Sequence, residues 1–242
     1  MKYIPQPLVF CVTIPFVWTA SLSAALVDYH FDSNETIYDP VVSVTEISAG
    51  AFSRGPGVST MPTGTSLLAQ SVRSLYMNNT GFYETTLSGA VTAEDFFFFD
   101  ITVDAGSQVD FSNFSFYSLR RPIAEEGIGA PQAFALYSSA DSYASSIGTG
   151  TIPLANNSNA FTFQDFDLSM NGILQGLTGT TTFQMVFYVP DGIAGVNERK
   201  FRIDEVSVDG IVTAVPEPNH AALLGGLLAA ACLIVRRRNP GY

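Results

Sequence analysis

Two histidines, His30 and His220, and two cysteines, Cys11 and Cys232, are the whole stock of imidazole and thiol in this 242-residue chain. A Ser-His-Asp relay needs an imidazole bonded to both nucleophile and carboxylate. With His220 close to the C-terminus, such a relay would have to rest on His30. No Gly-x-Ser-x-Gly nucleophile turn is present. Cys11 and Cys232 lie in apolar stretches at opposite ends, so the region between them has no thiol for a disulfide, a thiolate zinc site or a Cys nucleophile. Leu8-Val9-Phe10 before Cys11 also lacks the small residue that a lipoprotein cleavage site requires. Carboxylates are plentiful, and a glycosidase pair can come from distant parts of a chain. Here Asp and Glu stand mostly beside turns or at outward strand positions, the ordinary places of solvated surface. Tyr38, Tyr76, Tyr83, Tyr117, Tyr137 and Tyr143 offer ring faces with a hydroxyl, the equipment that holds a sugar. The same residues serve equally well as caps on a sandwich core. Trp18, near the N-terminus, is the only tryptophan.

The elements that position these groups read as short strands. Only 14% of residues are charged, against about 25% in ordinary soluble domains. Ser, Thr, Gly, Asn and 12% aromatic residues fill the gap. Alternating polar and apolar segments fall at 26–31, 41–47, 66–75, 81–87, 96–103, 109–119, 133–138, 161–168, 180–189 and 201–208. Turn-rich breaks such as Gly55-Pro56-Gly57 and Asp104-Ala105-Gly106 separate them, the pattern of an antiparallel sandwich or jelly roll. No long 3.6-residue period with caps appears, so helices are expected to be few and short. Phe96-Phe97-Phe98-Phe99 with Ile101 and Val103 predicts a central strand, because such a run would aggregate at an open edge. Three segments change phase midway: Phe201/Ile203 against Val206/Val208, Phe161/Phe163 against Phe166/Leu168, and Val109/Phe111 against Phe114/Phe116. A one-residue slip inverts the faces unless a bulge absorbs it, so β-bulges are expected at all three.

Of the 22 acidic residues only Glu217 lies outside 26–213, and of the 11 basic ones Lys2, Arg236, Arg237 and Arg238 do, which leaves 21 against 7, a net of −14. Nucleic acid is a poor partner for such a surface, whereas a cation is electrostatically easier to bind. Residues 1–25 read as a secretory signal peptide. Lys2 supplies the positive start, 8–20 is uncharged and mostly apolar, and Ser23-Ala24-Ala25 fits the small-x-small cleavage rule. Cleavage is expected after Ala25, with Ala24 second, through the Sec export machinery. Pro5, Pro7 and Pro15 oppose a retained spanning helix.

At the C-terminus, Val215-Pro216-Glu217-Pro218 leads into the uncharged run 221–235, which Arg236-Arg237-Arg238 closes. The prolines hold Glu217 extended and accessible to a protease. The run suits a short transmembrane helix, and the arginines keep its far end in the cytoplasm. Residues 214–238 resemble the PEP-CTERM sorting domain. The resemblance implies recognition by an exosortase, a membrane-embedded cysteine protease, and removal of the tail near the triplet. It further implies an inner-membrane-tethered intermediate, then delivery to the cell surface or extracellular matrix of a Gram-negative-type bacterium, often one that makes exopolysaccharide.

The stretches 25–32 and 201–210 also resemble the first and last strands of jelly-roll domains similar to carbohydrate-binding modules. That second resemblance implies a structural calcium ion where those strands meet, with Asp32 and Asp204 as its nearest carboxylates. The expectation is therefore an all-β antiparallel β-sandwich of jelly-roll type over 26–213, between a signal segment (1–25) and a sorting tail (214–242). Its expected role is that of a non-enzymatic surface or biofilm-matrix protein, with no cofactor beyond that calcium and with exopolysaccharide as a partner. A carbohydrate-binding module is the alternative, and a glycoside hydrolase ranks behind both.

Overall fold

The computed structural model describes residues 24–31, 39–59, 75–79, 84–120, 132–153, 161–190 and 201–215, and also 226, 227 and 230. In chain order the strands among them begin with β1 (Ala24–Tyr29), β2 (Val41–Val42), β3 (Ile47–Ala49), β4 (Ser53–Arg54), β5 (Val58–Ser59) and β6 (Leu75–Asn79). A helix, α1 (Leu87–Ala93), precedes β7 (Phe96–Val103), β8 (Ser107–Arg120), β9 (Ala133–Ser138) and β10 (Ser146–Thr151). The chain closes with β11 (Thr162–Asp167), β12 (Gly179–Tyr188) and β13 (Phe201–Ala214). All pairings are antiparallel. One sheet runs β11-β8-β13-β1-β2, with β6 beside the start of β13; the other runs β10-β9-β12-β7-β3, with β4 also on β7.

The two sheets share one aromatic core. On β7 the burial alternates strictly, with Phe97, Phe99, Ile101 and Val103 inward. Phe111 and Phe114 of β8 reach across to Phe183 of β12 at ring distances of 5.1 and 6.1 Å. Phe116 meets Phe134 of β9 edge-on at 5.0 Å. Such offset and edge contacts add about 0.5–1.5 kcal/mol each beyond the burial of area. Glycine makes room for one of these rings. A Cβ on Gly150 of β10 would lie 2.6 Å from the ring of Phe134.

β7 is central, flanked by β12 and by β3 and β4, as its phenylalanine run predicts. Two of the three phase changes are bulges. On β13 the register with β8 jumps between Asp204 and Ser207, and on β8 Ser112 is squeezed out between Phe111 and Asn113, opposite Gly210 and Asp209. The third is not: β11 pairs with β8 without interruption from Thr162 to Asp167. Phe163 instead points outward, 51% exposed, against the ring of Tyr117 at 5.0 Å.

Two predicted strands need correction. The segment 41–47 divides into β2 and β3 around a turn at 45–46. Of 81–87, residues 84–86 carry no strand and Leu87 opens α1; 81–83 lie outside the described residues. The Thr86 hydroxyl accepts from Gly89 N at 3.0 Å as N-cap, and Glu94 ends the helix in the left-handed region. Gly57 runs so close under that end that a Cβ on it would stand 2.2 Å from the Ala93 carbonyl oxygen. Most of 66–75 is outside the described residues, and Leu75 opens β6.

Candidate functional site

The two ends of the domain leave it on the same side. Ala24 pairs with Gly210 and Ala25 with Asp209, so β1 starts beside the last turn of ladder in β13. β13 stays paired with β8 as far as Ala214 opposite Ser107, and the Val215 amide then donates to the Gly106 carbonyl at 2.8 Å. Val215 is 38% exposed, and the ladder ends with it. Cleavage after Ala25 would remove two residues of β1 and leave Leu26, Val27 and Tyr29 buried in place. Pro216, Glu217, Pro218, Arg236, Arg237 and Arg238 lie outside the described residues, as does most of 221–235. Residues 226, 227 and 230 are helical, and among the described residues no helix is long and apolar enough to cross a membrane.

Of the calcium pair, Asp32 is outside the described residues. Asp204 sits at the bulge of β13, only 4% exposed, and its Oδ1 accepts from the Glu205 amide at 3.0 Å. Glu205 pays for that bulge with φ = 46°, in the left-handed region. β1 ends opposite Val206, two positions from Asp204, so the first and last strands do meet there. Among the described residues no group of three metal-ligating side chains forms. His30 is exposed just past β1.

The outer face of the β8-containing sheet is polar and acidic. Asn113 donates to Asp165 at 2.7 Å, beside the Tyr117–Phe163 pair. Burial pushes the Asp209 carboxyl above the usual range, Asp28 and Asp165 push the same way, and the Ser207 hydroxyl opposes them.

The outer face of the other sheet differs. On β9 and β12 the outward residues Ala135 and Val186 are fully buried, because α1 packs over β12 with Ala90 wholly enclosed. At the edge of that cover an open groove of about 530 Å³ is lined by Leu87, Ser88, Val91 and Thr92 on one side and by Tyr137, Tyr143, Ala144 and Gln184 on the other. Tyr137 and Gln184 are register partners on adjacent strands. Burial raises the Tyr137 phenol, with Tyr188 nearby adding to the shift. A second hollow of about 400 Å³ lies on the other flank of α1, and Glu84 is the one carboxylate lining either space.

Tyr143 reaches this groove from an unusual backbone. Ser142 and Tyr143 both have φ = 60°. For residues with a Cβ this costs roughly 1–2 kcal/mol each and persists only where neighbours over-determine it. The neighbours here are specific. The Ser138 hydroxyl caps Ala140 N at 3.2 Å and Ser139 Oγ accepts from Thr182 N at 2.8 Å. The Tyr143 amide donates to the Ser138 carbonyl at 3.0 Å. The Asp141 carboxylate accepts from Ala144 N at 3.2 Å, from Ser145 N at 2.9 Å and from the Ser145 hydroxyl. Those bonds, the Ser145 hydroxyl foremost, hold Asp141 below the usual carboxylate range.

Of the six tyrosines singled out by sequence, then, Tyr137 and Tyr143 are brought together, and Tyr117 stands on the opposite sheet. Tyr76 contributes backbone to β6, while Tyr38 and Tyr83 lie outside the described residues. Sequence reasoning missed Leu87, Val91 and Gln184: the predicted strand 81–87 reached only the first residue of the helix that brings two of them here, and 88–93 fell in no predicted element.

No family model matches the chain, and no curated protein matches it. Among solved structures the chain is similar to the K1 cleaved adhesin domain of Lys-gingipain from Porphyromonas gingivalis W83. That match has a TM-score of 0.32 and 12% identity, over 78% of this chain and 98% of that one. It is also similar to an arabinose-bound GH51 α-L-arabinofuranosidase, with a TM-score of 0.35 and 9% identity, over 77% of this chain and 27% of that one.

Proposed function

We propose that this is an exported, non-enzymatic cell-surface or extracellular-matrix protein whose C-terminal tail is a transient sorting address of the PEP-CTERM kind. The sheet-to-sheet crossings are read as jelly-roll connectivity, and the apolar run 221–235 as the helix that tethers the chain to the inner membrane until an exosortase acts. The observation that supports this reading is the end of β13. The last backbone bond of the ladder is made by Val215, one residue before Pro216-Glu217-Pro218. A protease cutting within the triplet would therefore leave every described strand intact. Export through the Sec machinery would place the acidic domain outside, where exopolysaccharide is its expected surroundings.

The test is replacement of Pro216-Glu217-Pro218 by three alanines in the native bacterium. The expected result is an unprocessed chain that collects in the membrane fraction. Unchanged processing and release would overturn the reading.

A second reading, a dedicated carbohydrate-binding module, is supported by the groove beside α1, which joins two tyrosines to an amide and two hydroxyl side chains. A glycan array tests it, and saturable, sugar-specific binding is the expected outcome.

A further inference from the structure

We infer that the groove between α1 and residues 137–144 is a binding site for an uncharged glycan, with Tyr143 as its stacking platform. This rests on the carbohydrate-binding reading and adds to it a place and a ligand class.

The lining decides the class. Leu87, Val91 and Ala144 give apolar lining on both sides, and Ser88, Thr92, Tyr137 and Gln184 give hydroxyl and amide groups that both donate and accept. None of the lining residues is charged. A sugar ring has the matching character, with apolar C–H faces for an aromatic ring and a rim of hydroxyls for paired donors and acceptors. A polymer of uronic acids would find no cation here, and it would have to approach a domain whose net charge is −14, with 21 acidic against 7 basic residues over 26–213. A cationic ligand would be drawn instead to the opposite sheet, where Asp28, Asp165 and Asp209 stand close enough to raise the Asp209 carboxyl. The volume, about 530 Å³, falls within the roughly 300–1,000 Å³ of ligand clefts.

Tyr143 is displayed at a cost to its own backbone. Tyr143 does not belong to the core, and the residue is 37% exposed. Core packing therefore does not call for a tyrosine in the left-handed region, where glycine or asparagine would cost less. The loop nonetheless holds that conformation with Asp141, Ser138 and Ser139, each bonded to backbone amides. Strain fixed in this way sets a side chain in position ahead of its ligand, which lowers the ordering cost of binding.

The test uses the full chain in mild detergent on an array carrying neutral oligosaccharides, uronic-acid oligosaccharides and apolar peptides. Calorimetry with the best neutral sugar then compares Tyr143→Ala, Tyr143→Phe, Gln184→Ala and Asp141→Asn. We expect saturable neutral-sugar binding that changes little with salt. Tyr143→Ala and Gln184→Ala should each weaken it about tenfold or more, and Tyr143→Phe should keep it within about threefold. Asp141→Asn keeps the ring but loosens its support, so it too should weaken binding. Circular dichroism and the melting temperature of each variant show whether the fold has survived. Neutral-sugar binding that Tyr143→Ala and Gln184→Ala leave unchanged would overturn the groove and spare the carbohydrate reading. Binding confined to uronic acids would do the same. Binding of apolar peptides alone, or of nothing on the array, would overturn both.

Discussion

Tyr29 shows how a single side chain ties the sheets together. It is fully buried, its ring stands 5.0 Å from Phe99 and 5.3 Å from Phe52, and its hydroxyl donates to the Gly50 carbonyl at 2.6 Å. Burial, helped by the negative charge of Asp100, holds the phenol far above the ordinary tyrosine value of 10.0. The folded protein therefore keeps a proton that the unfolded chain gives up above about pH 10. Stability from this group is complete below that pH and is lost as pH rises further. Tyr29→Phe should cost about 0.5–1.5 kcal/mol near neutrality, the net worth of the hydrogen bond. Its urea midpoint should also fall less steeply than the parent's between about pH 9 and about pH 11. Denaturant curves at several pH values check both; parallel pH profiles would show that the phenol does not couple to folding. Phe183 makes the simpler case. It touches Phe99, Phe111 and Phe114 at the middle of the core, and Phe183→Ala should cost about 3–5 kcal/mol in the same measurement.

At the scale of the element, the bulge in β13 carries the most information. The parity of Phe201/Ile203 against Val206/Val208 marks it in the sequence, and Ile203, Val206 and Val208 do all face the core. Glu205 takes up the extra length with φ = 46° and an exposed side chain. Glu205→Gly should therefore be neutral or stabilising by up to about 1 kcal/mol, whereas Glu205→Val, β-branched at positive φ, should destabilise. Melting temperatures of the two variants decide the matter, and equal effects would mean that the backbone there is unstrained. The same parity argument failed for β11. Phe163 is apolar by type but lies outside, sheltered by Tyr117, and hydrophobicity alone does not say which face an aromatic ring takes. The helix was missed for another reason. Leu87–Ala93 covers barely two turns, too short for a 3.6-residue period to emerge, and Thr86 with Glu94 defines it by capping instead. The groove was legible only in its tyrosines. Tyr137, Tyr143, Leu87 and Gln184 meet through pairings between segments far apart in the chain, and no local pattern records those pairings.

At the scale of the molecule, the first and last described strands leave the domain on the same side. The β1–β13 pairing brings Ala24 next to Gly210, and β13 continues to Ala214 against β8. A chain ending at Val215 should thus melt within a degree or two of the full chain, because no ladder residue is lost. A chain ending at Gly210 removes Ile211, Val212, Thr213 and Ala214 from the ladder with β8 and should melt markedly lower. Calorimetry on the two truncations tests this, and equal melting would mean that the end of β13 contributes nothing to the fold. The acidic balance belongs to this scale too. A net charge of −14 over 26–213 disfavours a polyanionic partner on electrostatic grounds.

The proposal that the tail is a transient address is tested most directly by the intact mass of the protein recovered from the cells that make it and from their medium. A mature chain that begins at Leu26 and ends between Pro216 and Pro218 is the predicted result. A chain that still carries 221–238 would contradict it and make the tail a permanent anchor.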